Sequence, residues 1–238
     1  MKYMGSKARL SKHILPIILK NRIDENHLYV EPFVGGGNLI DKVTGNRWGN
    51  DFFKPTFEAL SLIRDNLEKF PKNNLEFTEE DHKICRKDKT HPLHGLAGFA
   101  FSFAGGFYGG WCRGKDNFGK DRDYINEAYK NALKQSPLLQ NVRLTNLSYD
   151  EMDIPKNSIV YCDPPYQNTT SYKTKVNFDH DKFWEWVRVL SKDNEVFVSE
   201  YSAPNDFETV FEMPLSNTFC KDAIHKKTAI EKLFIFYK

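Results

Sequence analysis

The sequence predicts an α/β fold, an open sheet interrupted by an inserted subdomain, and three observations carry that reading. Short runs rich in Val, Ile, Tyr and Phe alternate with longer segments whose apolar residues recur at helical spacing. The first such run leads into a glycine-rich turn, Pro32-Phe33-Val34-Gly35-Gly36-Gly37. A later run, Ser158-Ile159-Val160-Tyr161-Cys162, stops abruptly in Asp163-Pro164-Pro165-Tyr166. There two prolines lack N–H groups and fix φ, so the strand ends and the turn after it is stiff.

Composition sets the outer limits. The 238 residues fit one domain, or one domain carrying a large insertion. A hydrophobic content of 40% beside 28% charged residues is that of an ordinary globular protein. The net charge of +2 is compatible with a nucleic-acid partner but does not argue for one. No apolar run is long enough to span a bilayer and the first residues lack the apolar core of a signal peptide, so no membrane and a cytoplasmic location are expected. Cys85, Cys112, Cys162 and Cys220 are scattered singly, a pattern of reduced thiols.

Taken in order, residues 6–22 read as an amphipathic helix kinked at Pro16. His27 to Glu31 reads as a buried strand, with a helix from Asn38 to Val43 after the glycines. Arg47 to Asp51 makes a second strand ending in an acid, and Pro55 to Phe70 a helix facing the core. The composition then changes, through Glu79-Glu80-Asp81-His82-Lys83 and His91-Pro92-Leu93-His94 to a run of glycines and aromatics from Gly98 to Trp111. This interval reads as the inserted subdomain. Within it, Phe99-Ala100-Phe101-Ser102-Phe103 alternates in the strand period, and Gly105-Gly106 or Gly109-Gly110 would turn a hairpin. A helix is expected from Tyr124 to Lys134, a strand over 141–146, a helix from Asp181 to Leu190 and a strand from Glu195 to Ser199. Glu208 to Phe211 and Leu233 to Tyr237 form a closing pair, with Lys221, His225, Lys226 and Lys227 between them.

At the carboxyl end of a strand in an open α/β sheet, the Asp163 carboxylate and the Pro164 carbonyl face the ligand crevice. With the Tyr166 ring beside them, they make two acceptors and a stacking plate, a receptor for a planar base carrying an exocyclic amino group. Strand termination and packing is the plainer alternative. The glycine turn at Gly35 lets a ligand approach the backbone. Asp51 stands either against the hydroxyls of a ribose or as a cap on the next helix. Arg113, Lys115, Lys120 and Arg122 follow the aromatic run, so cations interleaved with aromatics would enter a DNA groove, unless the aromatics pack in their own core. His82-x-x-Cys85 and His91-x-x-His94 have metal-ligand spacing on paper. No matching partner pairs accompany them, so no metal is expected.

Asp163-Pro164-Pro165-Tyr166, together with Tyr29-Val30-Glu31-Pro32-Phe33-Val34-Gly35-Gly36-Gly37 and Lys2-Tyr3-Met4-Gly5-Ser6-Lys7, resembles the Dam-type (D12 class) DNA adenine-N6 methyltransferases, which use S-adenosylmethionine. The likeness covers both ends of the chain in the family's order and is weak from about Lys54 to Gln140. It implies a Rossmann-like class I methyltransferase sheet with an inserted helical/β-hairpin DNA-recognition subdomain. Residues 1–54 and 141–238 would be the catalytic, S-adenosylmethionine-binding domain and 55–140 the target-recognition subdomain. It implies Asp163, Pro164 and Tyr166 as catalytic residues acting on adenine N6 of a flipped-out base. Tyr3, Lys7, Phe33, Gly35, Asp51, Tyr149 and Asp163 would surround the cofactor, and Lys2, Arg113, Lys115 and Lys120 would meet double-stranded DNA. A cognate restriction endonuclease is an expected companion. The arginine and asparagine usual before the recognition turn are missing, so no target sequence is assigned. An N4-cytosine or other amino methyltransferase remains an alternative, as does an inactive protein that binds cofactor and DNA.

Overall fold

A computed structural model describes residues 1–167, 178–215 and 229–237. Five strands lie parallel: β1 (Tyr29–Glu31), β2 (Arg47–Asn50), β3 (Val142–Thr145), β4 (Ile159–Cys162) and β5 (Glu195–Glu200). Two longer strands, β6 (Phe207–Leu215) and β7 (Ala229–Phe236), close the sheet antiparallel. The order is β3-β2-β1-β4-β5-β7-β6, the mixed α/β sheet that the alternation of elements predicts.

Side chains alternate across a strand, so each strand feeds two cores. On one face Tyr29, Ile159, Tyr161 and Phe197 pack with Ile14 and Ile18 of α1 (Ser11–Ile18), Leu60 and Ile63 of α2 (Lys54–Asp65), and Leu139 of α5 (Tyr124–Leu139). On the other, Val30, Trp48, Val160, Cys162 and Val198 pack with Phe183, Trp184 and Val187 of α6 (His180–Leu190). Strands covered on both faces have no polar side to show, hence the near-continuous apolar runs. Helix α3 (Glu79–Lys87) packs on α4 (His94–Phe99), and α4 on α2.

Two expectations are corrected. The helix expected over Asn38 to Val43 is one 3-10 turn, Ile40–Lys42. The backbone becomes extended at Val43, and the Ile40 carbonyl accepts from the Arg47 guanidinium at 3.2 Å. The alternating aromatics of 99–103 are no strand: Phe99 ends α4, and a 3-10 turn, Phe103–Gly105, follows. Phe99 and Phe101 are wholly buried while Phe103 is exposed. Gly95 and Gly98 of α4 serve close contact. A Cβ on Gly95 would stand 2.1 Å from the Pro55 carbonyl oxygen, and one on Gly98 2.3 Å from the Phe107 ring, so α4 sits closer to its neighbours than any side chain allows. The chain does reverse at the expected glycines, Gly105 and Gly110 both standing at positive φ between the isolated antiparallel bridge partners Ser102 and Trp111, and it reverses again between Lys115 and Asp121.

The His and Cys pairs are used in packing. His82 Nε2 is 2.9 Å from Ser102 Oγ, His91 Nδ1 is 3.2 Å from Cys85 Sγ, and His94 Nδ1 is 2.7 Å from the Cys85 carbonyl. Cys85, Cys112 and Cys162 are free thiols. Cys220 and the basic residues Lys221, His225, Lys226 and Lys227 lie outside the described residues. No helix among the described residues is long and apolar enough to cross a membrane.

Candidate active site

From β1 the chain moves outward to β2 and β3, then returns past β1 to β4 and leaves toward β5. The connections therefore diverge above β1 and β4, and in an open α/β sheet this divergence leaves a crevice at the carboxyl ends of the two strands. Phe33 and Gly35 follow β1, Asp51 follows β2 and Asp163 follows β4. The topology brings residues far apart in sequence to one edge of the sheet.

The turn after β1 is braced from three sides. Gly35, in the left-handed region at φ 51°, donates its N–H to Asp51 Oδ2 at 3.0 Å, and Phe53 N–H donates to Asp51 Oδ1 at 2.9 Å. Asp51 thus shapes the bend leading into α2 with one oxygen and holds the turn after β1 with the other. Burial pushes its carboxyl up to about 6, with both N–H groups pulling the other way. Gln135 of α5 reaches under the turn, its Nε2 at 3.0 Å from the Gly36 carbonyl and 3.2 Å from that of Gly37. Residues 1–4 lie over it. A Cβ on Gly35 would meet the Tyr3 ring at 2.9 Å, and Met4 N–H donates to the Gly105 carbonyl at 3.0 Å. It is Tyr3, stacked near Phe99 at 4.8 Å, that occupies the space a Gly35 side chain would fill.

Buried Asn50 ties three strand ends together. Its amide donates to the Pro32 and Leu147 carbonyls at 3.1 and 3.0 Å, and its oxygen accepts from Thr145 Oγ1 and Leu147 N–H at 2.8 and 3.0 Å. Phe33 stands 5.5 Å from the Tyr149 ring, with Phe178 and Phe183 beside both. The structure therefore gathers Phe33 and Tyr149 into one aromatic wall.

Asp163 is not turned into the core: 21% of its side chain remains accessible. Its Oδ1 accepts from Lys7 Nζ at 2.7 Å, and the same Nζ lies 3.6 Å from Glu231 Oε1 and 4.7 Å from the centre of the Tyr166 ring. Tyr166 donates its phenol hydrogen to Glu231 Oε1 and meets the Tyr201 ring edge-on at 4.8 Å. Burial alone would lower the Lys7 ammonium, but Asp163 and Glu231 outweigh it and its pKa is raised. Burial pushes the Glu231 carboxyl up, with Lys7 the main opposing influence. Glu200 is also raised by burial, to about 7. Its two oxygens accept the N–H groups of Tyr201 and Gln167 at 2.7 and 3.0 Å, which pins the chain just past Tyr166. Cys162 points into the core on the opposite face.

The cationic candidates lie elsewhere. Lys2 Nζ is 3.1 Å from Cys112 Sγ, and Lys2 and Arg113 line a cavity of about 300 Å³ with Phe103, Arg122 and Tyr124. Arg113 pairs with Glu79. Lys115 and Lys120 flank an exposed turn in which Asp116 Oδ1 accepts the N–H groups of Phe118 and Lys120 at 2.9 and 3.0 Å. Phe118, at its tip, is 94% exposed.

Glu231, Glu200, Asn50 and Gln135 were not legible as site residues from their own surroundings in sequence. The one available signal was chemical: Glu231 is an acid inside an apolar strand, where a charge needs a partner.

The chain matches the family described as D12 class N6 adenine-specific DNA methyltransferase over residues 3–89 and 114–232, and it belongs to that family. It is similar to the modification methylase StsI of Streptococcus sanguinis, 27% identical over 192 residues. That match takes in 71% of this chain and 29% of the relative, so the chain spans less than a third of that protein's length. Among solved structures, the tRNA (m1A58) methyltransferase TrmI of Aquifex aeolicus aligns over 95% of this chain and 69% of its own, with 11% identity and a TM-score of 0.41.

Proposed function

We propose that this protein transfers a methyl group from S-adenosylmethionine to the N6 amino group of adenine at specific sites in double-stranded DNA. The observation that supports it best is Asp163, an accessible carboxylate on a stiff turn at the carboxyl end of β4, beside the glycine turn that follows β1. The residues present suit the cofactor: Asp51 offers an acceptor for ribose hydroxyls, Phe33 and Tyr149 an apolar wall for a purine, and Tyr3, Lys7 and Gly35 the remaining boundary. Bound there, S-adenosylmethionine supplies an electrophilic methyl group on a sulfonium sulfur.

The adenine amino nitrogen is a poor nucleophile because its lone pair is delocalised into the ring. When Asp163 accepts one N–H and the Pro164 carbonyl the other, the nitrogen is drawn toward a tetrahedral shape and its lone pair is freed. Transfer of the methyl group from sulfur to nitrogen would leave positive charge on that nitrogen until it sheds a proton to water, and the Asp163 carboxylate would stand against that charge. Tyr166 stacks on the base, which has left the duplex because the amine is out of reach inside it.

Residues 55–140 serve as the target-recognition subdomain, with α2 and α5 at its margins shared with the sheet's core. Lys2, Arg113, Lys115 and Lys120 contact the DNA backbone. DNA as substrate fits a cytoplasmic protein, and the relative's description as a modification methylase favours a restriction endonuclease that reads the same site. Incubation of the protein with DNA and methyl-labelled cofactor, followed by digestion and mass spectrometry, tests the reading. N6-methyladenine is expected; label on cytosine N4, or none, would refute it.

A further inference from the structure

The proposed chemistry leaves one contact unexplained. Lys7 holds Asp163 Oδ1 at 2.7 Å, yet an ammonium on the acceptor weakens it toward the adenine N–H and opposes the positive charge that grows on the nitrogen. A second carboxylate waits on the other side of the ammonium. Glu231 of β7 is almost fully buried, its Oε1 is 3.6 Å from Lys7 Nζ, and it already holds the Tyr166 phenol. A swing of under about 1 Å brings Nζ to the usual length of a charge-assisted hydrogen bond with Glu231.

We infer that Glu231 is a positioning residue which takes Lys7 from Asp163 when the target base enters, leaving the catalytic carboxylate its whole charge for the reacting amine. This rests on the reading of Asp163 as the amine acceptor. Lys7, Asp163 and Glu231 together carry one net negative charge, the sign a developing cation needs, and a neutral residue at 231 would leave a self-cancelling pair. Glu231 acts through Lys7 and through the Tyr166 ring and does not touch the base. Two other acids are buried nearby, Glu200 on the backbone N–H groups of Tyr201 and Gln167 and Glu31 on the Tyr29 phenol, but among the described residues the ion pairs of Lys7 are with Asp163 and Glu231. The groups facing this cluster include Glu31 from β1, Lys7 from the N-terminal segment, Asp163, Tyr161 and Tyr166 from β4 and its turn, and Ser199, Glu200 and Tyr201 from β5 and its end.

The test compares Glu231→Gln and Glu231→Asp with the wild type on DNA whose methylated site has been mapped by sequencing modified adenines. Glu231→Gln keeps the shape and an acceptor for Tyr166 but loses the charge. We expect its kcat to fall about 10- to 100-fold, less than the roughly 100- to 1,000-fold lost with a group that touches the reacting atoms. KM for DNA and the 2-aminopurine fluorescence that reports base extrusion should stay near wild type, and Glu231→Asp should recover most of the rate. A kcat within about twofold of wild type, or equal losses in the two variants, would overturn the inference. If Glu231→Gln does not fold, the wild-type complex with target DNA and S-adenosylhomocysteine decides: Lys7 on Glu231 supports the exchange, and Lys7 still on Asp163 overturns it. Absence of methylation by the wild type is a different result, and sinks the proposed function itself.

Discussion

The carboxyl end of β4 and the loop of residues 113–122 contain the same kinds of side chain, lysine or arginine beside carboxylates and an aromatic ring. At β4 the cation is only 10% accessible and three of its neighbours converge on it. In the loop, Arg113 and Arg122 pair with Glu79 and Glu127 at the surface, while Lys115, Phe118 and Lys120 face water. Surface pairs of the second kind contribute little to stability and exchange freely. The buried cluster is different, because removing one member strands the rest in low dielectric. The difference teaches how surroundings decide what a charge is: beside β4 its neighbours fix it in place, and on the loop only surface partners hold it.

The comparison breaks first at Asp163. Asp163→Ala should lower the methylation rate by about 1,000-fold or more while the circular dichroism spectrum stays native; near-normal turnover would remove the distinction altogether. Asn50→Ala should come next. Its side chain is buried and makes four hydrogen bonds, so the loss should cost about 2–3 kcal/mol in urea unfolding and weaken the cofactor with it. Asp51→Ala should weaken the cofactor about tenfold while DNA binding changes less. Equal losses in the two titrations would count against a ribose contact. In the wild type the pH works in a defined direction. The Asp51 carboxyl is raised to about 6, so its ionised form, which accepts hydroxyl hydrogens, is lost as pH falls through that value, and cofactor affinity should fall with it. The same raised value makes Asp51 a liability to folding above pH 6, since the unfolded chain ionises more easily. The smallest effects belong to the loop: Lys115→Ala and Lys120→Ala should each reduce the salt dependence of DNA binding by about one in slope, alike for all sequences.

Much of the fold was legible because the relevant signals are local. Prolines 164 and 165 stop β4 at the right residue, glycines 35–37 mark the turn after β1, and the apolar spacing of 55–70 gives α2 followed by its 3-10 extension. The run 99–103 was misleading for a physical reason. Aromatics at every second position suit a half-buried strand, but they also suit a short helix and turn enclosed on several sides; the glycines at 105 and 110 do reverse the chain, while Gly95 and Gly98 in the helix admit Pro55 and Phe107. Asp163 and Tyr166 announce themselves beside the prolines. Glu231 does not, because its meaning depends on Tyr166 and Lys7, and only the antiparallel closing strand brings it to them.

The way Tyr3 is wedged has a mechanical corollary. Its backbone lies so close to Gly105 that an added methyl group there would come within 2.8 Å of it, while its ring fills the hollow over Gly35. One short tether is thus clamped at both ends, by the inserted segment and by the turn after β1, and Lys7 is carried a few residues farther along it. A displacement at position 105 therefore meets the Tyr3 backbone directly, and the ammonium on Asp163 lies four residues farther along the same segment.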